Sequence, residues 1–297
     1  MFYYNTNLIK QMSRIQNENK QIFNRERLRR SRVRAINYNI SNIIYEHTAQ
    51  DLALRLDEIN RHFQSILILT KNKDFLSERF TDKQKKDLVL VNPIDKFKNG
   101  SGINDEESLP FQNNTFDLII SDLMLHTSNN LRTSLEKIHS LLKPDGLMLC
   151  SMFGSETLKE LKSCIIKSEE QFNDRVYPRI NPFVDIRTAG DILHNSGFKL
   201  CVADDTIIKV PFKDIFELVK LIRSMGENNY INLEKPNITR NIWNKTSELM
   251  QEIAFPEAGI VSTFEILTLT GWKYHVDQPK PLKPGSAKFN LADFLNK

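Results

Sequence analysis

In "SDLMLH" (Ser121 to His126) an acid, Asp122, stands four residues before a base, His126, at the end of the apolar run "FDLII". A histidine there can act as a general base beside an acceptor; the plainer reading is a helix-entry histidine hydrogen-bonded to backbone. In an open α/β sheet a ligand sits outside the carboxyl ends of the strands, so the residues just after each apolar run carry the interest. After "SILIL" come Thr70, Lys71, Asn72, Lys73 and Asp74, and after "KDLVLV" come Asn92 and Asp95. Asp105, Glu106 and Leu109 precede "FDLII", and Phe153, Gly154 and Ser155 end and follow "GLMLCSMF". Ser155 also reads as a helix N-cap, with Thr157 supporting the helix start. In "GWKYH", Trp272 and Tyr274 share a face if the segment stays a strand, and core packing explains them as well as substrate contact does.

The elements that must position these residues alternate. The first 60 residues read as an N-terminal helical arm, with Ile44, Ala49, Leu52, Leu56 and Ile59 at helical spacing. Then "SILIL", "KDLVLVN", "TFDLIISDL" and "GLMLCSMF" read as short apolar strands, separated by amphipathic helices such as "DFLSERF" and "NLRTSLEKIHSLL", the pattern of a parallel sheet covered on both faces. "KPDG" predicts a helix stop at Pro144 and a positive φ at Gly146. "SETLKELKSCIIKSEEQF" reads as an amphipathic helix, "NPFVDIRTAGDILHNSGF" as a loop and helix ending at Gly197, and "KLCVADDTIIKV" as a strand. Two helical stretches, about 211–256, form a cap before the last strand "IVSTFEILTLTGWKYH". These divide the chain into 1–60, 61–275 and an extended tail, 276–297. Asp117 is expected to hold a turn and His139 to lie on the surface.

Composition narrows the class. The 297 residues are 40% apolar and 26% charged, with a net charge of +4, which fits a globular protein and does not mark a nucleic-acid binder. "FNRERLRRSRVR" concentrates six Arg and one Glu, suited to phosphate, an acidic protein face or a membrane surface, or simply to a solvated helix face. It has no interleaved aromatics between Arg25 and Arg34 for base stacking, which argues against nucleic acid. Cys150, Cys164 and Cys201 have neither CxxC pairing nor histidines at metal spacing, so no metal site or disulfide framework is expected. No run reaches the roughly 18 apolar residues of a membrane span, and the polar start lacks a secretory core. The expected location is the cytoplasm.

The order "DEESLPF…NNTFDLIISDLMLH…LRTSLEKIHSLLKPDGLMLCSMFG" resembles the second half of a class I S-adenosylmethionine-dependent methyltransferase. "MFGSETLKELK", "INPFVDIRTAGDILHNSGF", "SMGENN" and "GWKYH" resemble more specifically the branch of the mitochondrial complex I assembly factor of methyltransferase fold, related to the malonyl-carrier methyltransferase of biotin synthesis. The Asn-, Ile- and Lys-rich composition resembles that of a Rickettsia-like alphaproteobacterium. The resemblance implies a Rossmann-like, seven-stranded α/β methyltransferase sheet with S-adenosylmethionine as cofactor. Asp105 would meet the adenine amino group, Glu106 and Leu109 would line the same turn, and Ser121 and Leu123 would lie near the sulfonium. The implied process is respiratory complex I assembly, acting on or escorting a protein partner. The branch also implies arginine hydroxylation of a partner subunit, for which the sequence supplies no His/carboxylate metal triad.

The chain departs from the family where the cofactor binds. The glycine loop maps onto Thr70 to Asp74, with Thr70 and Asn72 in place of glycines, and no glycine precedes Gly100. Any Cβ there pushes a ligand away from the backbone. The ribose-binding acid maps onto Asn92, whose amide offers one acceptor oxygen where a carboxylate offers two. Lys71 and Lys73 can instead grip a carboxylate or phosphate, and Asp95 can reach the ribose. Two readings follow: a methyltransferase with a changed loop, or a scaffold that keeps the fold and partner surface without the cofactor.

Overall fold

The sheet starts with Ile66–Thr70 (β1), five residues all buried, as a strand covered on both faces requires. The structure, a computed structural model, describes residues 21–35, 38, 43–71, 88–91, 106–254 and 259–279. Before β1 come helices α1 (Arg25–Ala35) and α2 (Ile43–Asp57); after it come β2 (Leu88–Val91), β3 (Phe116–Asp122), a 3₁₀ turn (Leu125–Thr127), α3 (Leu131–Leu141) and β4 (Leu142–Phe153). The remainder is α4 (Lys159–Phe172), α5 (Ile186–Asn195), β5 (Lys199–Phe212), α6 (Ile215–Ser224), α7 (Arg240–Glu252) and β6 (Ile260–Trp272).

Among the described residues the sheet has six strands in the order β2-β1-β3-β4-β6-β5. The first four run parallel, and β6 inserts antiparallel between β4 and β5. The chain leaves β1 for β2 on one side and returns to β3 on the other, so the topological switch lies between β1 and β3. At that point Thr70 is the register partner of Asp122, and Asp122 that of Ser151.

Both faces are covered. On one, Ala49 and Leu52 of α2 pack on Ile66, Ile68, Leu118 and Ile120. On the other, Leu135, Ile138 and Leu193 of α3 and α5 pack on Leu67, Ile119 and Met148. A boundary at residue 60 therefore does not separate α2 from the sheet, because that helix supplies part of its core. A third cluster joins α4, α6 and α7 to Phe153 and Phe264, placing the two helices between β5 and β6 over the carboxyl end of β4.

Local chemistry sets several ends. Asn130, Asp185 and Thr239 each accept a hydrogen bond from a backbone N–H of the first turn of α3, α5 and α7. The helix α5 stops just before Gly197, as expected, and that glycine takes φ +97. Asp117 holds its turn by accepting from the Gln64 and Ser65 amides, both at 2.9 Å. At "KPDG" the positive φ belongs to Asp145 (φ 63) instead of Gly146. Gly146 is needed for close approach: an added Cβ would lie 2.8 Å from the Lys143 carbonyl oxygen. His139 is half-buried against Phe198, not simply on the surface, since the β5 approach folds over α3. The α4 helix starts at Lys159, so Ser155 is an exposed loop residue and not its cap. The loop is instead tied to β6, with the Glu156 amide donating to Glu265 Oε2 at 2.7 Å and Thr157 Oγ1 to the Glu265 carbonyl at 3.1 Å.

Candidate functional site

At the switch point the carboxylate of Asp122 is fully buried and accepts from three hydroxyls, Thr48 at 2.8 Å, Ser151 at 3.0 Å and Thr70 at 3.2 Å. Burial pushes its pKa up, against the pull of those hydrogen bonds. Leu123 turns with φ 48, and its amide donates to the Ser151 carbonyl at 3.0 Å. Asp122 thus clips β1, β3, β4 and α2 together. Ser121, one residue earlier, is fully buried inside the sheet.

Beyond this clip lie two buried ion clusters. In the first, Lys71, the residue directly after β1, is paired with Glu227, and its ammonium also lies 5.3 Å from the Tyr45 ring centroid. Glu227 Oε2 stands 3.1 Å from His126 Nε2. Burial alone would raise the Glu227 pKa, but Lys71, His126 and Arg32 hold it well below the usual carboxylate range. Burial lowers the His126 pKa, so the imidazole is neutral at neutral pH. The network assigns its proton to Nε2, donating to Glu227. Its Nδ1 is buried with no hydrogen-bond partner among the described residues, and Phe153 and Phe183 stand edge-on to the ring.

The second cluster is set by α1. Arg32, 1% exposed, reaches Glu106 at 3.1 Å and donates to Thr127 Oγ1 at 3.0 Å. Arg25 reaches the same carboxylate at 3.0 Å, and Thr127 donates to it at 3.0 Å. Burial would raise the Glu106 pKa, yet the two guanidiniums and their hydrogen bonds bring it down to about 2. The arginine-rich helix is therefore not just a solvated face. Its inner side, Leu28, Ser31 and Arg32, is buried in the rim of the sheet. Gly226 permits this approach: at φ +71 its added Cβ would meet the Arg32 Cα at 3.1 Å.

Thr70, Glu106, Ser121, Asp122, Leu123, His126 and Phe153 all gather at or just beyond the carboxyl ends of β1, β3 and β4. Leu109 is 2% exposed and belongs to the core beneath them. Asn72, Asn92 and Asp105, with Lys73 and Asp95, lie outside the described residues. Gly154 follows Phe153 but packs on Glu265, leaving no room for a Cβ. Trp272 and Tyr274 are not part of this rim. In the antiparallel register Trp272 faces Leu147, at the opening of β4, whereas Phe153 faces Ile266. The strand ends at Trp272, and Tyr274 is 54% exposed beyond it. Arg25, Arg32, Thr48 and Glu227 were not singled out as site residues, although "SMGENN" held the glutamate in view.

These groups are matched to one another. The Thr70 hydroxyl points at Asp122, Lys71 at Glu227, and both carboxylate oxygens of Glu106 are taken by arginines. A methyl donor held in the glycine-loop manner needs an open backbone after β1 and a free acidic turn. Of that segment and that turn the structure describes Thr70, Lys71 and Glu106, whose side chains are taken up by Asp122, Glu227 and the two arginines. What remains chemically open is His126, a neutral imidazole oriented by Glu227 with its Nδ1 lone pair unused. Among the described residues no group of three His, Cys, Asp or Glu is placed to hold a metal ion. No helix among them is long and apolar enough to cross a membrane.

Residues 80–150 match the methyltransferase domain family. The chain is 32% identical over 258 residues to the human mitochondrial arginine-hydroxylase NDUFAF5, covering 84% of this chain and 75% of that protein. It is 38% identical over 190 residues to the mouse protein of the same name, covering 64% of this chain and 55% of that one, little more than half its length. Among solved structures, the YcgJ protein from Bacillus subtilis aligns with a TM-score of 0.50 at 13% identity, over 77% of this chain and 99% of that one, a likeness of fold alone.

Proposed function

This chain belongs to the family of the mitochondrial arginine-hydroxylase NDUFAF5, and from that premise we propose that it serves respiratory complex I assembly by acting on or escorting a protein partner. The geometry favours escort. The carrying observation is the pairing of Lys71 with Glu227, which fills the rim after β1 where a methyl donor would approach backbone. In this reading the methyltransferase fold is kept as a rigid frame, and its helical insertions between β5 and β6 present the partner surface. The proposed location is the cytoplasm of a bacterial cell.

The test is complementation. Human cells lacking NDUFAF5 receive this chain behind an added mitochondrial leader, and assembled complex I is followed on native gels together with NADH oxidation. Return of both is expected. Import and expression of the chain without either would overturn the proposal.

A second reading, methyl transfer by a site that holds S-adenosylmethionine differently, draws on the unused Nδ1 of buried His126. Calorimetric titration with S-adenosylmethionine and S-adenosylhomocysteine separates the two. No heat of binding up to millimolar cofactor is expected, corresponding to less than about 4 kcal/mol of affinity. Micromolar binding would restore the methyl-transfer reading and make His126→Ala the next variant.

A further inference from the structure

A second feature lies outside the sheet rim. A groove of about 920 Å³ opens between α1 and the segment before α7, lined by Arg27, Arg179 and the run from Leu233 to Ile238, Glu234 included. We propose that this groove docks an acidic segment of a partner protein, its carboxylates meeting Arg27 and Lys235 and an apolar side chain resting on Leu233 and Ile238.

The cations are placed for an incoming anion. Arg179 is consumed by the structure: its Nε donates to Glu169 at 2.8 Å and its Nη1 to the Pro236 carbonyl at 2.8 Å, fixing the groove wall. Lys235 donates to two neutral acceptors, the Pro178 carbonyl at 3.2 Å and Asn229 Oδ1. One of its three N–H donors is then open, and the described residues give it no carboxylate. Arg27 is exposed on the outer side of α1, with no side-chain partner among the described residues. The Lys235 pKa is pushed down to about 8, by burial first and then by Arg179 and Arg27. A carboxylate arriving in the groove relieves that crowding.

The remaining lining selects the kind of partner. Leu233 is 37% exposed, and Pro236 is exposed beside it, so part of the groove is apolar. A concave surface of this kind takes a peptide segment more readily than a flat membrane. No lining residue is an aromatic on which a base could stack. The inference rests on the reading that the chain engages a protein partner.

The test uses the full chain and a fluorescein-labelled synthetic peptide in which Glu and Asp alternate with Leu. The comparison probes are the same peptide with Lys for each acid and a labelled oligouridylate. The acidic peptide should bind, and Arg27→Glu with Lys235→Glu should weaken it by about tenfold or more. Arg30→Glu, on the same helix but outside the groove, should leave it unchanged. Affinity should also fall as pH rises through about 8. The charged groups facing Lys235 are Arg179, Arg27 and Glu169, with Glu234 also in the groove lining. Binding of the cationic peptide or the oligouridylate as tightly as the acidic one would overturn the proposal. So would an unchanged affinity in the double variant, or an equal loss in Arg30→Glu. If the double variant does not fold, Arg27→Glu alone decides the question, since that side chain is exposed. A failed peptide test beside successful complementation removes the groove and leaves the assembly role; the reverse removes the assembly role alone.

Discussion

Glu106→Gln is expected to lower the unfolding free energy by about 3–5 kcal/mol, the usual cost of removing one partner from a buried ion pair. The amide keeps the shape of the carboxylate but leaves Arg32, 1% exposed, without its ion-pair partner, and Arg25 with Glu107 at 3.7 Å in place of the nearer Glu106. The effect has a pH signature. The Glu106 pKa in the folded chain is about 2, below its ordinary 4.5, because Arg32 and Arg25 outweigh the burial that would raise it. Since the folded value is the lower one, the stabilisation is complete above about pH 4.5 and is lost as pH falls toward 2. Those limits correspond to about 3 kcal/mol. Urea unfolding at a series of pH values should show the parent losing this increment on acidification and the variant not losing it. Equal acid dependence in the two proteins would rule out the arginine-held carboxylate. Hydrogen exchange should also rise along α1, which these contacts anchor to Thr127 and the sheet rim.

Glu227→Ala should cost a similar amount, about 3–5 kcal/mol, for the same reason. It leaves Lys71, with a side chain 5% exposed, and His126, fully buried, without their shared carboxylate. The informative variant is the double one. Lys71→Met with Glu227→Met removes both charges and replaces them with apolar chains of comparable length, so the loss should shrink to within about 2 kcal/mol of the parent. A thermodynamic cycle on the two positions should therefore give a coupling of about 2 kcal/mol or more. Additive losses would mean that the pair does not hold the rim closed. The double variant also opens the cofactor question directly: if Lys71 and Glu227 are what excludes a methyl donor, calorimetry on it has a binding site to find that the parent lacks.

Much of the frame was legible in the chain itself. Runs such as "ILILT" and "FDLIISD" are apolar throughout, and only burial on both faces explains that pattern, so β1 and β3 follow from it. Amphipathic spacing, with Pro144 and Gly197 as stops, marked α3 and α5 within a few residues of their ends. The placement of Thr70, Asp122 and His126 was legible too, since each falls where a strand stops or just beyond it. The errors came where a local signal had a nonlocal competitor. Ser155 had the chemistry of a cap, but Glu265, 109 residues later, claimed the Glu156 amide and moved the helix start to Lys159. Trp272 ends its strand at the other end of the sheet because β6 runs antiparallel to β4, and Tyr274 lies exposed beyond that strand.

The sequence alone determined the class of fold, the position of the switch point and the loss of the glycine loop, because apolar periodicity and the absence of glycine are properties of neighbouring residues. The tertiary structure alone decided which partners Lys71, just after β1, and Arg32 of α1 take up. Lys71 is 156 residues from Glu227, and Arg32 is 74 from Glu106. No short-range pattern distinguishes a lysine or arginine that will be solvated from one that will be buried beside a carboxylate. That choice is made when the helices dock, since desolvating a charge is tolerable only where packing has already brought its counter-charge within reach.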